Sequence, residues 1–455
     1  MANVIKLKNS GTANSAPTSL EVGELAVNYA DGKIYYKNTS NAVVEFAGSS
    51  SLLISNTAPA NTNILWADTS VTGVGVVPVG GTTGQVLAKS SSADYDAVWA
   101  GPTTSFRNMI INGAMQVAQR GTSTASITTD TIATADRWTS QIGTLGTWTN
   151  SVENDAPTGS GFRKSWKWLC TTADASPAAG DYMVPQTRLE GQNLQAILKG
   201  TSSAQQLTLT FWVKSNVTGT YVAGLFDVDN TRIVSQSYTV SASATWEKKT
   251  ITFPADTTGA FDNDENRSLD VQFWLAAGTS FSSGTLQTTW AANTNSNRAV
   301  GQTNLAAATS NYWQITGVQL EAGAVATPFE QRPIGVELAL CQRYYETSYI
   351  RPDTNGTVTT VGIHMGSGTA ASRSTGEIRD SHQFMVEKRA TPTVTLFSNT
   401  GQTNTVTRAD YGTSYNGNRT GSVTDPSRKN FGVYSGDSGA YGCALLFHFV
   451  AEAEL

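Results

Sequence analysis

The segment Leu207-Thr-Leu-Thr-Phe-Trp-Val213 alternates between two faces with a period of two. Thr250-Ile-Thr-Phe253 and Leu269-Asp-Val-Gln-Phe-Trp-Leu275 do likewise. Such alternation marks a strand with one buried face and does not fit a helix. The stretches between these segments are rich in Gly, Asn and Ser, the residues of turns. Many short strands in this arrangement predict a β-sandwich or jelly roll. Charge points the same way. Only 14% of the 455 residues are Asp, Glu, Lys or Arg, against about 25% in an average globular chain. Helical bundles keep their surfaces wet with Glu and Lys. This chain must rely on Thr, Ser, Asn, Gln and Gly, which suit sheets and turns. The expected class is all-β.

Several functions are disfavoured at this level. The net charge is −5 and no long basic run occurs, so the electrostatic footprint of a nucleic-acid binder is missing. Cys170, Cys341 and Cys443 are widely separated and form neither a CxxC pair nor a disulfide framework. All three read as buried small apolar side chains. The opening residues lack the apolar stretch of a signal peptide. No run approaches the roughly 18 apolar residues of a membrane span. The expectation is a soluble chain made in a cytoplasm, with no membrane insertion.

The chain divides by composition. Residues 1–48 read as a small β head, with strands at Val22–Tyr29, Ile34–Lys37 and Val43–Phe46 and an Asp31-Gly32 hairpin turn. So short a unit buries too little surface to be comfortable alone, which hints that several chains share one core. Residues 49–104 are a Gly/Ser/Thr/Ala-rich stalk or linker with short strands at Gly84–Ala88 and Ala97–Trp99. Residues 105–333 hold most of the aromatics and read as one large jelly-roll domain. Residues 334–345, opening just after Pro333, are the best helix candidate. Residues 346–455 return to β, with strands at His382–Val386, Thr393–Phe397 and Ala444–Val450. A long Gly/Asn/Ser/Tyr loop region is expected over residues 399–442.

Some segments are familiar as an ordered set. Gly23-Glu-Leu-Ala-Val-Asn28 followed by Asp31-Gly-Lys-Ile-Tyr-Tyr36 resembles the N-terminal head of phage tail-fibre proteins. Gly84-Gln-Val-Leu87 with Trp99 resembles a unit of their stalks. Arg107-Asn-Met-Ile-Ile-Asn-Gly-Ala-Met-Gln116 and Ala135-Asp-Arg-Trp138 look like the opening of their large jelly roll. Gly317-Val-Gln-Leu-Glu-Ala-Gly323, Ala326-Thr-Pro-Phe-Glu330, Cys341-Gln-Arg-Tyr-Tyr345 and Ala451-Glu-Ala-Glu-Leu455 resemble its closing signatures. The resemblance implies a receptor-binding subunit of a tailed bacterial virus, located in the virion and usually homotrimeric. The head would attach to the tail or an adaptor protein. The jelly roll, similar to carbohydrate-binding modules, and the terminal β-domain would meet a bacterial surface glycan or another receptor.

Fold does not decide function, so chemistry must be sought in residues. Asp227/Asp229 and Asp262/Asp264/Glu265 lie in Asn-rich loop sequence. They read most simply as solvated turn residues, with a Ca²⁺ site or a hydrolytic carboxylate pair as the alternatives. His364, His382 and His448 show no metal-pair spacing. No phosphate-binding glycine motif occurs. No cofactor, metal or catalytic residue is therefore expected, and the chain reads as a non-enzyme. A tailspike-like depolymerase and a purely structural tail or baseplate component are the alternatives.

Two surfaces are candidates for binding. In Leu207–Val213, Trp212 falls opposite the aliphatic face; in Leu269–Leu275, Trp274 joins Asp270 and Gln272. Tryptophans beside amides and carboxylates are the chemistry that stacks sugar rings and takes their hydroxyls. Burial under a loop or a neighbouring chain is the alternative. The second surface is the C-terminal loop region, with Tyr411, Tyr415, Asn416, Asn418, Arg419, Arg428, Tyr434 and Tyr441 spaced by Gly and Ser. Rigid Tyr with adaptable Asn and Ser resembles a paratope. Its alternatives are an ordinary variable loop or a contact between subunits.

Overall fold

The computed structural model describes residues 7–46, 52–55, 65–68, 80–81, 85–89, 97–100, 106–368, 377–410, 415–436 and 443–455. The chain forms two compact units, Met1–Pro102 and Thr103–Leu455. The class is all-β, as the alternation predicts.

In the first unit, Lys8–Ser10 lies parallel to Leu25–Asn28, which continues antiparallel to Lys33–Lys37 and then Val43–Phe46. The Asp31-Gly32 turn forms where expected, with Gly32 at φ 68°. One face of this sheet packs under residues 11–21 around Leu20, Ala26 and Tyr35. Period-two alternation sends Leu25, Ile34 and Phe46 to the other face, where they are exposed. Farther along the first unit, Leu52–Ser55 pairs parallel with Leu65–Asp68, and Val86–Lys89 pairs antiparallel with Ala97–Ala100.

The jelly roll has two antiparallel sheets. In spatial order, the first contains Glu247–Phe253, Leu207–Ser215, Tyr312–Ala322, Ser165–Thr172, Thr147–Glu153 and Ser123–Ile127. The second runs Trp138–Gly143, Tyr182–Glu190, Arg267–Trp274, Gly219–Asp227, Arg232–Val240 and Ala291–Ala292. Between them sit Trp138, Trp148, Trp166, Trp168, Trp313, Phe211 and Phe273, all fully buried. Their rings meet edge-on or tilted, as Trp166 does on Trp168 at 5.3 Å and Phe211 on Phe273 at 5.1 Å.

The expected helix forms over Ile334–Gln342 and buries Cys341. Cys170 is buried too. The side chain of Cys443 lies outside the described residues. The terminal β-domain is built around Cys443–Glu452, which pairs with Tyr345–Thr347, His364–Gly368, Thr393–Phe397 and Thr405–Asp410. A three-stranded sheet of Glu377–Gln383, Asn430–Gly436 and Ser422–Thr424 packs beside it. Leu445, Phe447, Phe449 and Ala451 point into the core with period two.

The terminal domain departs from expectation in two places. The long loop over 399–442 is largely sheet: Thr405–Asp410, Tyr415–Thr420, Ser422–Thr424 and Asn430–Gly436 are strands. Their apolar positions are few, Val406 on one strand and Phe431 and Val433 on another, and Thr, Asn, Arg and Gly between them hide the alternation. The strand expected at His382–Val386 instead ends at Gln383 and begins at Glu377.

The terminal domain also belongs to the same compact unit as the jelly roll, and charged pairs run between the two. Arg120 Nη2 lies 3.0 Å from Glu454 and 3.2 Å from Glu452. Arg137 is paired with Glu454 and lies over the Tyr344 ring at 3.4 Å. Arg343 forks onto Glu190 at 2.9 and 3.0 Å, and Arg389 donates to the backbone oxygens of Ala453, Glu454 and Glu265. Such charge-assisted bonds, most of them shielded from water, fix one domain on the other.

Candidate functional site

Trp212 and Trp274 do lie on faces turned away from the core, but on opposite sheets, so they cannot form one platform. Trp274 is 2% exposed, Asp270 0% and Gln272 2%. The cause is an insertion between Arg267–Trp274 and Tyr312–Ala322 that folds back over the second sheet. Phe281 from its short helix covers Trp274 at 5.4 Å and Tyr182 at 5.1 Å. Asp270 is forked by Arg267, and Gln272 donates to Gln186 at 2.9 Å. The open sugar platform expected at Trp274, Asp270 and Gln272 is therefore corrected to a small second core. A local pattern cannot show a cover that comes from a distant insertion.

Trp212 is different. It is half-buried on the outer face of the first sheet, with Lys248 and Thr316 as its neighbours in register. In the next row Lys214, Gln314 and Lys167 stand side by side on three adjacent strands. Asp155 reaches over this row from the loop after Thr147–Glu153. Its carboxylate accepts from Lys214 Nζ at 2.5 Å, Gln314 Nε2 at 3.3 Å and Trp246 Nε1 at 3.2 Å. Burial raises the Asp155 pKa, but the hydrogen bonds from Lys214 and Trp246 outweigh it and leave it below the usual carboxylate range. Lys214 lies 5.6 Å from the Trp246 ring centre, and Lys167 4.9 Å from that of Tyr312. The far end of the same face is closed by Phe162, which rests on Gly317 and packs against Phe329 at 4.9 Å. A Cβ at Gly317 would sit 2.5 Å from the Phe162 ring, so the cover needs a glycine there. What stays open is a shallow face with two half-buried indoles and the Lys214–Asp155 pair; Gln314 lies beneath it, 2% exposed.

The sequence flagged only Trp212 of this set. Trp246, Asp155, Lys214 and Gln314 come from separate strands and loops, and their meeting is tertiary. Alternation through Tyr312-Trp-Gln-Ile-Thr316 was a usable signal for Gln314, because it puts Gln314 opposite the core residues Trp313 and Ile315.

The C-terminal candidates are spread over two sheets. Tyr411 and Tyr441 lie outside the described residues. Tyr415 and Asn416 are on the strand Tyr415–Thr420, with side chains outside the description. Asn418 is tied inward, donating to Thr400 Oγ1 at 2.5 Å and Gln402 Oε1 at 2.8 Å. Arg419 donates to the Asn418 carbonyl at 3.0 Å. Tyr434 is half-buried on Asn430–Gly436, 5.5 Å below the Arg379 guanidinium. Arg428 is committed to Glu265 at 2.6 Å and Glu387 at 3.3 Å, so it ties the two domains together.

Among the described residues no cluster of three or more His, Cys, Asp or Glu could hold a metal ion. The Asp227 carboxylate is occupied by Lys199 Nζ at 2.6 Å and by Asn230 at 3.0 Å. Asp229 caps the Asp262 amide at 2.9 Å, and Asp264 holds Asn266. No helix among the described residues is long and apolar enough to cross a membrane.

Two of the three histidines, His364 and His382, form an ordered chain with Asp380. His364 Nε2 lies 2.9 Å from Asp380, and His364 Nδ1 lies 3.3 Å from His382 Nδ1. Asp380 fixes the proton on His364 Nε2, so His364 Nδ1 accepts from His382. His382 Nε2 is then left without a donor among Phe431, Phe449 and Phe384. Burial, then His364, pushes the His382 pKa down to about 4. A ring held neutral in the fold and titrating near 6.5 when unfolded stabilises above pH 6.5, and that stability is lost as pH falls toward 4. The wild type should lose on the order of 2 kcal/mol between pH 7.5 and 4.5, after allowance for partial exposure. His382→Phe should lose measurably less over the same range. Equal losses in thermal melts would show that His382 does not carry the acid sensitivity.

No family model matches the sequence, and no curated protein matches it. Solved structures share a fold likeness at low similarity. The enzymatically active domain of bacteriophage CBA120 tailspike protein 4 aligns at 14% identity over 48% of this chain, with a TM-score of 0.27; the chain spans only 22% of that protein. A family 11 carbohydrate-binding module from Clostridium thermocellum aligns at 13% identity over 44% of this chain and 99% of its own, with a TM-score of 0.23. A sugar-binding protein candidate from Bacteroides thetaiotaomicron aligns at 13% identity over 47% and 99%, with a TM-score of 0.26. At these scores the likenesses carry nothing about ligand or activity.

Proposed function

We propose that the chain is a non-catalytic adhesion subunit of a tailed bacterial virus that binds a host surface glycan. The observation that carries this is the outer face around Trp212 and Trp246. An indole offers a flat apolar surface to sugar C–H groups, while Lys214 and Asp155, braced from beneath by the buried Gln314, offer fixed partners to hydroxyls. Asp155 spends its charge on Lys214, which suits it to bind rather than to act as an acid or base. The ordered set of tail-fibre-like segments, from Gly23–Asn28 to Ala451–Leu455, supports a virion location. The bare apolar face of the head, with Leu25, Ile34 and Phe46 exposed, supports self-association, and we assign it to a homotrimer. Three copies on one stalk would turn weak glycan contacts into firm attachment. Docking of the head to the tail or an adaptor protein belongs to the same proposal.

The test is an array of bacterial surface oligosaccharides probed with the full chain and with Trp212→Ala. The wild type should retain a defined glycan, and the variant should bind it about tenfold or more weakly while melting at the same temperature. A wild type that retains no glycan, or a variant that binds equally, would remove Trp212 and its face from the function. Sedimentation should give three times the chain mass, and a monomer at micromolar concentration would refute the trimer.

A further inference from the structure

The outer face of the second sheet carries one arginine, Arg298, with no carboxylate in contact among the described residues. Arg298, half-buried at the end of the insertion, lies 5.1 Å from the ring centres of both Phe226 and Trp274. Its Nη2 donates to Gln272 Oε1 at 2.8 Å. Gln272 in turn donates to Gln186, whose own Nε2 is buried with no partner. Among the described residues no carboxylate lies within ion-pair distance of Arg298. Asp270 is the nearby acid, and Arg267 already forks both of its oxygens. Arg188 stands beside Asp270 in register, and its Nη1 donates to the main-chain oxygen of Leu455. Burial holds both Arg188 and Arg298 below the usual guanidinium range, with Asp270 offsetting part of it and Arg267 adding to it.

A guanidinium that is partly desolvated and unpaired is a standing cost. Here it is also immobilised, by two aromatic rings and an amide relay. A planar fork held in this way matches the two oxygens of a carboxylate or phosphate. We propose that this face holds an anionic group of the host glycan, carboxylate or phosphate, on the outward edge of Arg298. The inference rests on the glycan reading above but uses a different sheet from the Trp212 face. It defines the glycan class as acidic.

The experiment titrates the full chain at low salt with tri-galacturonic acid, with a ribitol-phosphate oligomer and with a neutral trisaccharide. The expected result is binding of one acidic probe, weakened about tenfold or more in Arg298→Gln and weakened by added salt. Arg298→Lys should recover part of it, because the charge returns without the fork. Phe226→Leu, which leaves the arginine in place but removes one ring beneath it, should also weaken it. Trp212→Ala should leave the Arg298-dependent part unchanged. Which acidic probe binds tells carboxylate from phosphate. If neither acidic probe binds the wild type, or Arg298→Gln binds equally, the anion site is refuted. If neutral glycans still bind through the Trp212 face in that case, adhesion stands and only the acidic class falls. If no glycan of any kind binds, the glycan reading itself has failed.

Discussion

Glu454→Gln is expected to destabilise the larger unit by about 3–5 kcal/mol, the range found when one partner of a buried ion pair is removed. The Glu454 side chain is 9% exposed and serves two arginines, Arg120 at 9% and Arg137 at 3%. Arg120 keeps Asp136 at 3.5 Å and Glu452 at 3.2 Å after the change. Arg137 keeps only the Arg188 carbonyl and the Tyr344 ring, so it becomes a buried cation without a counter-ion. The substitution preserves shape, so the loss measures charge and not packing. Thermal melts should fall by several degrees and separate into two steps as the terminal domain uncouples from the jelly roll. A second readout is independent of unfolding. Asp136 titrates at about 6 because burial raises it, with Glu454 contributing in the same direction. Removing that neighbouring charge should lower the Asp136 value. A single unshifted melt and an unchanged Asp136 would show that Glu454 does not couple the domains.

Lys199→Met is expected to cost the jelly roll a similar amount, about 3–5 kcal/mol. Lys199 Nζ is 2% exposed and meets Asp227 at 2.6 Å, Asp256 at 3.1 Å, the Gly259 carbonyl at 2.6 Å and the Thr258 carbonyl at 3.0 Å. Every donor of the ammonium is used. Methionine keeps the length but leaves two buried carboxylates facing one another, with Arg232 compensating only Asp256 at 2.8 Å. The same geometry makes a sharper prediction. In the wild type the ammonium stands where a hard cation would have to sit, so Ca²⁺ should not move the melting temperature. In Lys199→Met the freed oxygens of Asp227, Thr258 and Gly259 are the ligands Ca²⁺ prefers, and added Ca²⁺ should recover part of the loss. A wild type stabilised by Ca²⁺, or a variant that melts like the wild type, would contradict this arrangement.

The Lys199 site shows why the reading of the acidic loops as solvated turns holds for Asp229 and Asp262, which are exposed, and fails at Asp227. Asp227 and Asp229 sit in Asp-Val-Asp-Asn-Thr and look like solvated turn residues. Asp227 is instead fully buried, because Lys199, 28 residues earlier, reaches its oxygens. Arg428 looked like part of a receptor loop and instead bonds Glu265, 163 residues away. Ion pairs of this kind have no periodic signature, since either partner can come from any loop that the fold brings near.

What the sequence determined by itself is what depends on local geometry. Alternation fixed the strands Leu207–Ser215, Val43–Phe46 and Thr393–Phe397, because side-chain direction along a strand reverses at every residue. Asp31-Gly32 fixed a turn, and Pro333 fixed the start of the helix, because both restrict backbone dihedrals in place. Alternation also told correctly that Trp212 and Trp274 point away from the core. Only the tertiary structure decided what lay above them. An insertion returns over Trp274 and buries it beneath Phe281, while on the other sheet Asp155 reaches over the row beside Trp212 and leaves Trp212 half-buried. Burial of an outer sheet face depends on which distant segment covers it, and that is settled by the packing of the whole domain, not by the strand that carries the residue.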